Sequence, residues 1–230
     1  MQKYRHIIFD ADHTLIDFNE DERRAFRRAF QGTPLMQEEI IERMWEFSYL
    51  NWEALGLNNV NDFQIRQKYH DLYYVHIHAL FVYAEKTYGL EHADEAERIF
   101  YQTLCSTSHP HRGALETVKA LAERYAVSVA TNGLSEMQNA RLKEFMPYVH
   151  RLFISEEMGA IKPSTKYGRI MLEALHARAE ECLFVGDSLT SDIALANKLN
   201  MDAVWYDPAG RALPEGYRIV KQIRSLTELI

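Results

Sequence analysis

Cysteine is scarce: Cys105 and Cys182 are the only two in 230 residues, and no metal-like spacing relates them. A disulfide framework and a thiolate metal site are therefore excluded as organising devices, and both read as reduced thiols. Long apolar runs are missing too. No stretch approaches the roughly 20 apolar residues a membrane-spanning helix needs. The opening MQKYRHIIFDADHT puts carboxylates where a signal peptide requires its apolar stretch. The expected location is cytoplasmic, with no membrane partner. Basic charge is in short supply, since 26 Lys and Arg face 33 Asp and Glu for a formal charge of -7. That balance argues against a nucleic-acid polymer or an anionic lipid surface as partner. A small anionic substrate stays open, because a bound cation reverses the sign locally. Internal repeats and low-complexity tracts are absent. What is present, 47% hydrophobic and 26% charged residues, suits a soluble globular enzyme with a full core, either one large domain or a domain with a sizeable insert.

The chain divides into three stretches. Arg5 to about Ile16 is a short apolar strand and a polar turn. From about Asp17 to Ser108 no convincing strand occurs. EDERRAFRRAF, QEEIIERMWEFSYLNWEAL, VNDFQIRQKYHDLYYVHIHALFVYAEKTYG and HADEAERIFYQTLCS have apolar residues at three- and four-residue intervals, as in Ile40, Met44 and Phe47. From about His109, helices alternate with apolar strands: AVSVA, RLFISEE, CLFV, DAVWYD and a last strand in YRIVKQ. That alternation predicts a parallel sheet covered on both faces, an α/β Rossmann-like doubly wound core. The strand at 6–9 belongs to the same sheet. The expected organisation is thus a core domain of residues 1–16 and 109–230 with an inserted α-helical domain at 17–108.

Ligands of such sheets bind beyond the carboxyl ends of the strands, and the polar residues gather there. HIIF is followed by Asp10 and Asp12, and SVA by Thr131-Asn132-Gly133. LFIS leads to a loop with Lys162-Pro163, and LFV precedes Gly186-Asp187-Ser188, with Asp192 shortly after. Four acids, a lysine and a threonine converging on one rim make a site.

In order and spacing, D-A-D-H-T at 10–14, T-N-G at 131–133, K-P at 162–163 and G-D-S-L-T-S-D at 186–192 resemble the four motifs of the haloacid dehalogenase-like superfamily, in its phosphatase branch. The helical insert resembles that family's cap domain. The resemblance implies a phosphomonoester hydrolase that works through an aspartyl-phosphate intermediate, with the cap excluding water and choosing the leaving group. Asp10 is then the nucleophile, because a carboxylate can form an acyl phosphate. Asp12 is the general acid and later the general base. Repulsion between the two raises the pKa of one of them. Mg²⁺ is the expected cofactor, on Asp10 and Asp187, and the resemblance adds the backbone carbonyl of Asp12. Lys162 bridges Asp10 and the phosphate, while Thr131 and the N–H groups of Asn132 and Gly133 donate to phosphate oxygens. Asp192, with Ser188, supports the ligands from behind.

TNGLSEMQNARL, ISEEMGAIKP and the all-helical insert most resemble the pyrimidine 5'-nucleotidase group, which implies a nucleoside monophosphate as the small phosphorylated substrate. A sugar-phosphate or other small-metabolite phosphatase is the nearest alternative. Haloacid dehalogenases lack a second aspartate such as Asp12. A phosphonate hydrolase would need a lysine in the insert, where Lys68 and Lys86 have no suggestive context, and a non-catalytic binding module would lack some of Asp10, Asp12, Lys162 and Asp187.

An EF-hand loop at Asp10, Asp12 and Thr14 would want glycine where Leu15 stands. Asp192 also suits a helix cap. His76 and His78 do not share a helix face and read as packing or surface residues, and His109 and His111 as loop residues. The role of His13 is open. The run Trp45, Phe47, Tyr49, Trp52, Phe63, Tyr69, Tyr73, Tyr74 and Phe81 reads mostly as core of the insert, with a minority facing substrate.

Overall fold

The computed structural model describes residues 3–106 and 108–230. It divides into two compact units, one of residues 1–17 and 110–230 and one of residues 18–109. The first is built on a six-stranded parallel sheet in the order β3-β2-β1-β4-β5-β6. Its strands are β1 (His6–Phe9), β2 (Ala126–Thr131), β3 (Arg151–Ile154), β4 (Cys182–Gly186), β5 (Asp202–Tyr206) and β6 (Lys221–Ile223).

In the second unit the helices are α1 (Phe18–Ala29), α2 (Glu38–Ala54), α3 (Phe63–Tyr88) and α4 (Ala93–Leu104). The sheet unit adds α5 (Ala114–Ala122), α6 (Ser135–Arg141), α7 (Ser155–Met158), α8 (Thr165–Leu175) and α9 (Ala194–Lys198). Alternate residues of each strand point to opposite faces. Ile7, Phe9, Val127, Val129, Leu183 and Val185 pack with Val118 and Leu121 of α5. Ile8, Ala130, Phe184 and Trp205 pack with Tyr167 and Met171 of α8 and Leu195 of α9. Burial on both faces is why the strands read as unbroken apolar runs.

Three elements differ from the sequence expectation. The strand expected over RLFISEE stops at Ile154, and SEEM forms the single turn α7, because Glu156 and Glu157 do not suit a doubly covered strand. Glu156 instead accepts from the Ser135 N–H at 2.7 Å, capping α6. The last strand begins later, at Lys221, since the backbone of Arg218 is held by both ends of the Asn197 amide at 2.8 Å. SDIALANKLN, whose apolar spacing predicts a helix from Ser191, is instead preceded and entered by a wide turn over Leu189–Ile193, in which Ser188 O accepts from both Asp192 and Ile193 N–H. Such turns recur where a side chain must be aimed.

The helical unit has an aromatic core of Phe26, Phe30, Phe81 and Phe100, with the Phe26 and Phe100 centroids 4.7 Å apart. Tyr69 and Tyr73 are buried as expected, but Tyr49, Phe63 and Tyr74 are exposed. No helix among the described residues is long and apolar enough to cross a membrane.

A buried polar chain crosses this unit. Ser48 Oγ donates to Glu22 Oε1 at 2.5 Å, and His76 bonds Ser48 Oγ through Nε2 (3.2 Å) and Asn51 through Nδ1 (2.8 Å). With the Ser48 proton given to Glu22, His76 donates from Nε2 and accepts at Nδ1. Burial lowers the His76 pKa to about 4. Burial raises Glu22 to about 7, against the Ser48 hydrogen bond and Arg23. A raised carboxyl contributes stability that is full below its ordinary 4.5 and is lost as pH rises through about 7. Glu22→Gln keeps an acceptor for Ser48 without the charge. It should be more stable than the wild type at pH 8 by about 1–3 kcal/mol, with the gap closing by pH 5. Urea unfolding at both pH values checks this, and a variant less stable at pH 8 would contradict it.

Candidate active site

The polar rim is built by the ends of four neighbouring strands. The Asp10 N–H still donates to Val185 O of β4 at 2.8 Å, so its backbone is pinned to the sheet while its side chain leaves the core. Lys162 Nζ donates to Asp10 Oδ1 at 2.5 Å, to Asp192 Oδ1 at 2.7 Å and to Ala130 O of β2 at 2.7 Å. All three ammonium protons are thereby used, and the residue is 1% exposed. The Lys162 backbone is fixed by Asn132, whose Oδ1 accepts from Lys162 N (2.7 Å) and whose Nδ2 donates to Lys162 O (2.9 Å). Asp192 Oδ2 accepts from Ser188 N–H at 3.1 Å. A Cβ at Gly186 would lie 2.3 Å from Asp192 Oδ2, so only glycine at the end of β4 lets Asp192 come this close. Asp187 is fixed by Thr14, whose hydroxyl donates to Oδ1 at 3.3 Å and accepts from Asp187 N–H at 3.1 Å. Trp205 Nε1 donates to Asp187 O at 2.9 Å.

Asp12 is turned toward α6. Its Oδ1 accepts from Arg141 Nη1 at 2.5 Å and its Oδ2 from Gln138 Nε2 at 2.6 Å. Thr131, at the end of β2, is 1% exposed. The Gly133 N–H, expected to donate to phosphate, donates to Ser155 Oγ at 3.0 Å.

Sequence reasoning gave Arg141, Gln138 and Ser155 no role. For the first two a signal existed, since an i, i+3 pair of long polar side chains after a strand-end turn shares one helix face.

The electrostatics follow from burial. Burial raises the Asp10 carboxyl to about 7, with Asp192 and Asp12 adding to the rise and Lys162 opposing it. Asp187 is raised to about 6, by burial and by the charge of Asp10. Burial also raises Asp192, against the pull of Lys162. Burial works against the Lys162 charge, but Asp10 and Asp192 outweigh it and hold the ammonium well above its ordinary value. One lysine does not offset three carboxylates. Oxygens of Asp10, Asp187 and Asp192 lie within 4.8 Å of one another, an all-oxygen donor set that fits a hard dication. Lys162 and the Ser188 N–H already engage one oxygen each of Asp192, so Asp10 and Asp187 are the freer ligands.

Residues 4–200 match the family model described as haloacid dehalogenase-like hydrolase. The chain is 28% identical over 239 residues to the HAD-hydrolase YfnB of Bacillus subtilis (strain 168), covering 100% of this chain and 95% of that protein. It is 29% identical over 216 residues to the pyrimidine 5'-nucleotidase PynA of Streptococcus pneumoniae (strain ATCC BAA-255 / R6), covering 89% and 84%. The crystal structure of YfnB bound to magnesium aligns with a TM-score of 0.79 at 26% identity, over 99% of this chain and 97% of that one. A dehalogenase structure aligns with a TM-score of 0.77 at 21% identity, over 100% and 96%, a likeness of fold.

Proposed function

Because the chain belongs to the haloacid dehalogenase-like hydrolase family, we propose that it is a Mg²⁺-dependent phosphomonoester hydrolase working through an aspartyl-phosphate, with pyrimidine nucleoside 5'-monophosphates as substrates. The observation that carries this reading is the pair Asp10 and Asp12, the first held by buried Lys162 and the second by its own donors two residues on.

Asp10 attacks phosphorus in line, the P–O ester bond breaks, and its electron pair goes to the leaving oxygen, which takes a proton from Asp12. Asp12 then removes a proton from water, the water oxygen attacks phosphorus, and Asp10 departs as a carboxylate with inorganic phosphate released. Lys162 holds Asp10 in position for attack and lends positive charge to the phosphoryl oxygens. Thr131 and the Asn132 N–H donate to those oxygens. Asp192 and Ser188 act through Lys162 by fixing its ammonium. Asp10, Asp187 and the Asp12 carbonyl would hold Mg²⁺, which would supply the positive charge that the carboxylates and the phosphate together lack. A dehalogenase has no leaving alkoxide to protonate and so no use for Asp12. The nucleotide preference draws on the likeness to PynA, and the inserted helices are the part we assign to substrate choice.

The test is kcat/KM over a panel of nucleoside monophosphates, hexose phosphates and haloacids. Pyrimidine monophosphates should lead, and chelation should lower turnover by about 100-fold or more. Leading hexose phosphates would remove the nucleotidase reading, full rates after chelation would remove the metal, and haloacid turnover would remove the phosphatase.

A further inference from the structure

We propose that Arg141 and Gln138 form a clamp that positions the Asp12 carboxyl group for proton transfer to the leaving group. The inference rests on the acid–base reading of Asp12 above and adds the two residues that make it work.

Asp12 is on a turn past the end of β1, with a side-chain exposure of 21%. A carboxylate there would rotate freely about its terminal bond, which is broad and soft. Both of its oxygens are instead engaged from one helix face, by an ion-paired guanidinium and by an amide. The two contacts together fix the plane of the carboxylate, and the charge-assisted one is the stronger. General acid catalysis depends on such placement, because a proton donor about 1 Å out of line can cost about 100-fold.

The surroundings are built for this contact. Arg141 is 1% exposed and Gln138 is fully buried. Burying a guanidinium carries a desolvation cost that an apolar residue would avoid. Gln138 Oε1 has no hydrogen-bond partner among the described residues. An orphaned buried carbonyl is a liability that methionine or leucine would remove. Turning the amide over would aim that oxygen at the Asp12 carboxylate, so its NH₂ must face Asp12. The neighbouring turn leaves room for it, since a Cβ at Gly133 would lie 2.6 Å from Gln138 Nε2. Glycine in T-N-G therefore serves the clamp by close approach. The start of α6 is tied down by Glu156, which keeps the helix and its two donors in register with the strand ends.

A clamp acting through Asp12 makes a prediction that a purely structural role does not. An alkyl phosphate, such as a nucleoside monophosphate, needs its leaving oxygen protonated. 2,4-Dinitrophenyl phosphate does not, because its phenolate leaves unaided. Since kcat/KM reports the steps up to departure of the leaving group, the full-length protein with Mg²⁺ is assayed on both esters as wild type, Gln138→Met and Arg141→Lys.

Each variant should lose about 10- to 100-fold in kcat/KM on the alkyl ester and stay within about 3-fold on the dinitrophenyl ester. Rapid mixing with the aryl ester should then show a burst of about one phenolate per enzyme, because water activation by Asp12 becomes slow. Equal losses on both esters would overturn the clamp in favour of simple support of the fold. Unchanged kcat/KM on both would overturn it as an idle contact. A gain on the alkyl ester would overturn it by showing that the contact holds Asp12 away from its work. Gln138→Met, which alters no charge, keeps the test decisive if Arg141→Lys fails to fold. Wild type inactive on both esters would remove the phosphatase reading and the clamp with it, whereas the three preceding outcomes leave that reading standing.

Discussion

Asp10→Asn should lower turnover of every phosphate ester by at least about 10⁴-fold, the scale of loss when a covalent nucleophile is removed. An amide cannot form the acyl phosphate, so incubation with a labelled ester should leave no phosphoryl group on the protein. Folding should survive. Asparagine matches aspartate in shape, and Lys162 keeps Asp192 and Ala130 O as acceptors. The stability change has a sign that can be worked out. The Asp10 carboxyl is raised from 3.8 to about 7 and Asp187 from 3.8 to about 6, each chiefly by burial. Each therefore contributes stability that is full below 3.8 and lost as pH rises through its folded value. In chelator, the wild type should weaken between pH 4 and pH 8, and Asp10→Asn should weaken less. Turnover near the wild-type rate would end the case for Asp10 as nucleophile. A steeper pH dependence than the wild type would end this account of the site's electrostatics.

The sheet and the acidic rim were legible because both rest on patterns of the chain itself. Apolar runs such as HIIF and CLFV mark strands buried on both faces, and the first polar residue past each run marks the rim. Hence the pattern alone gathers Asp10, Lys162, Asp187 and Asp192, and in the structure they meet. Contacts made by packing between elements leave no such mark. On α6, Gln138 and Arg141 look like the polar face of a short helix, and only the fold turns that face onto Asp12. Glu22, Ser48 and His76 come from three helices, and no spacing connects them. Ser155 reads as the continuation of a strand, yet its hydroxyl accepts the Gly133 N–H. Exposed Tyr49, Phe63 and Tyr74 show the same limit from the other side, since helical spacing assigns a face without saying what covers it.

Lys162→Met tests the electrostatic core of the site without reference to any substrate. Methionine fills similar space but leaves Asp10 and Asp192, both buried, without the ammonium they share. Removing one partner of a buried ion pair costs about 3–5 kcal/mol, because the remaining charge has neither water nor a counter-ion. The loss should be largest at pH 8. It should shrink toward pH 5, since carboxyls already raised by burial then take up protons and their repulsion fades. Lys162 itself stays charged throughout that window, so its own titration does not contribute. Adding Asp192→Asn to Lys162→Met removes one of the two stranded charges and should recover part of the stability at pH 8, with a coupling energy that vanishes if the residues are independent. Denaturant midpoints for the two single variants and the double variant, at both pH values, decide it. A Lys162→Met protein as stable as wild type at pH 8 would mean that the carboxylates are already protonated or solvated, and the case for a charge-deficient cation site would lose its physical basis.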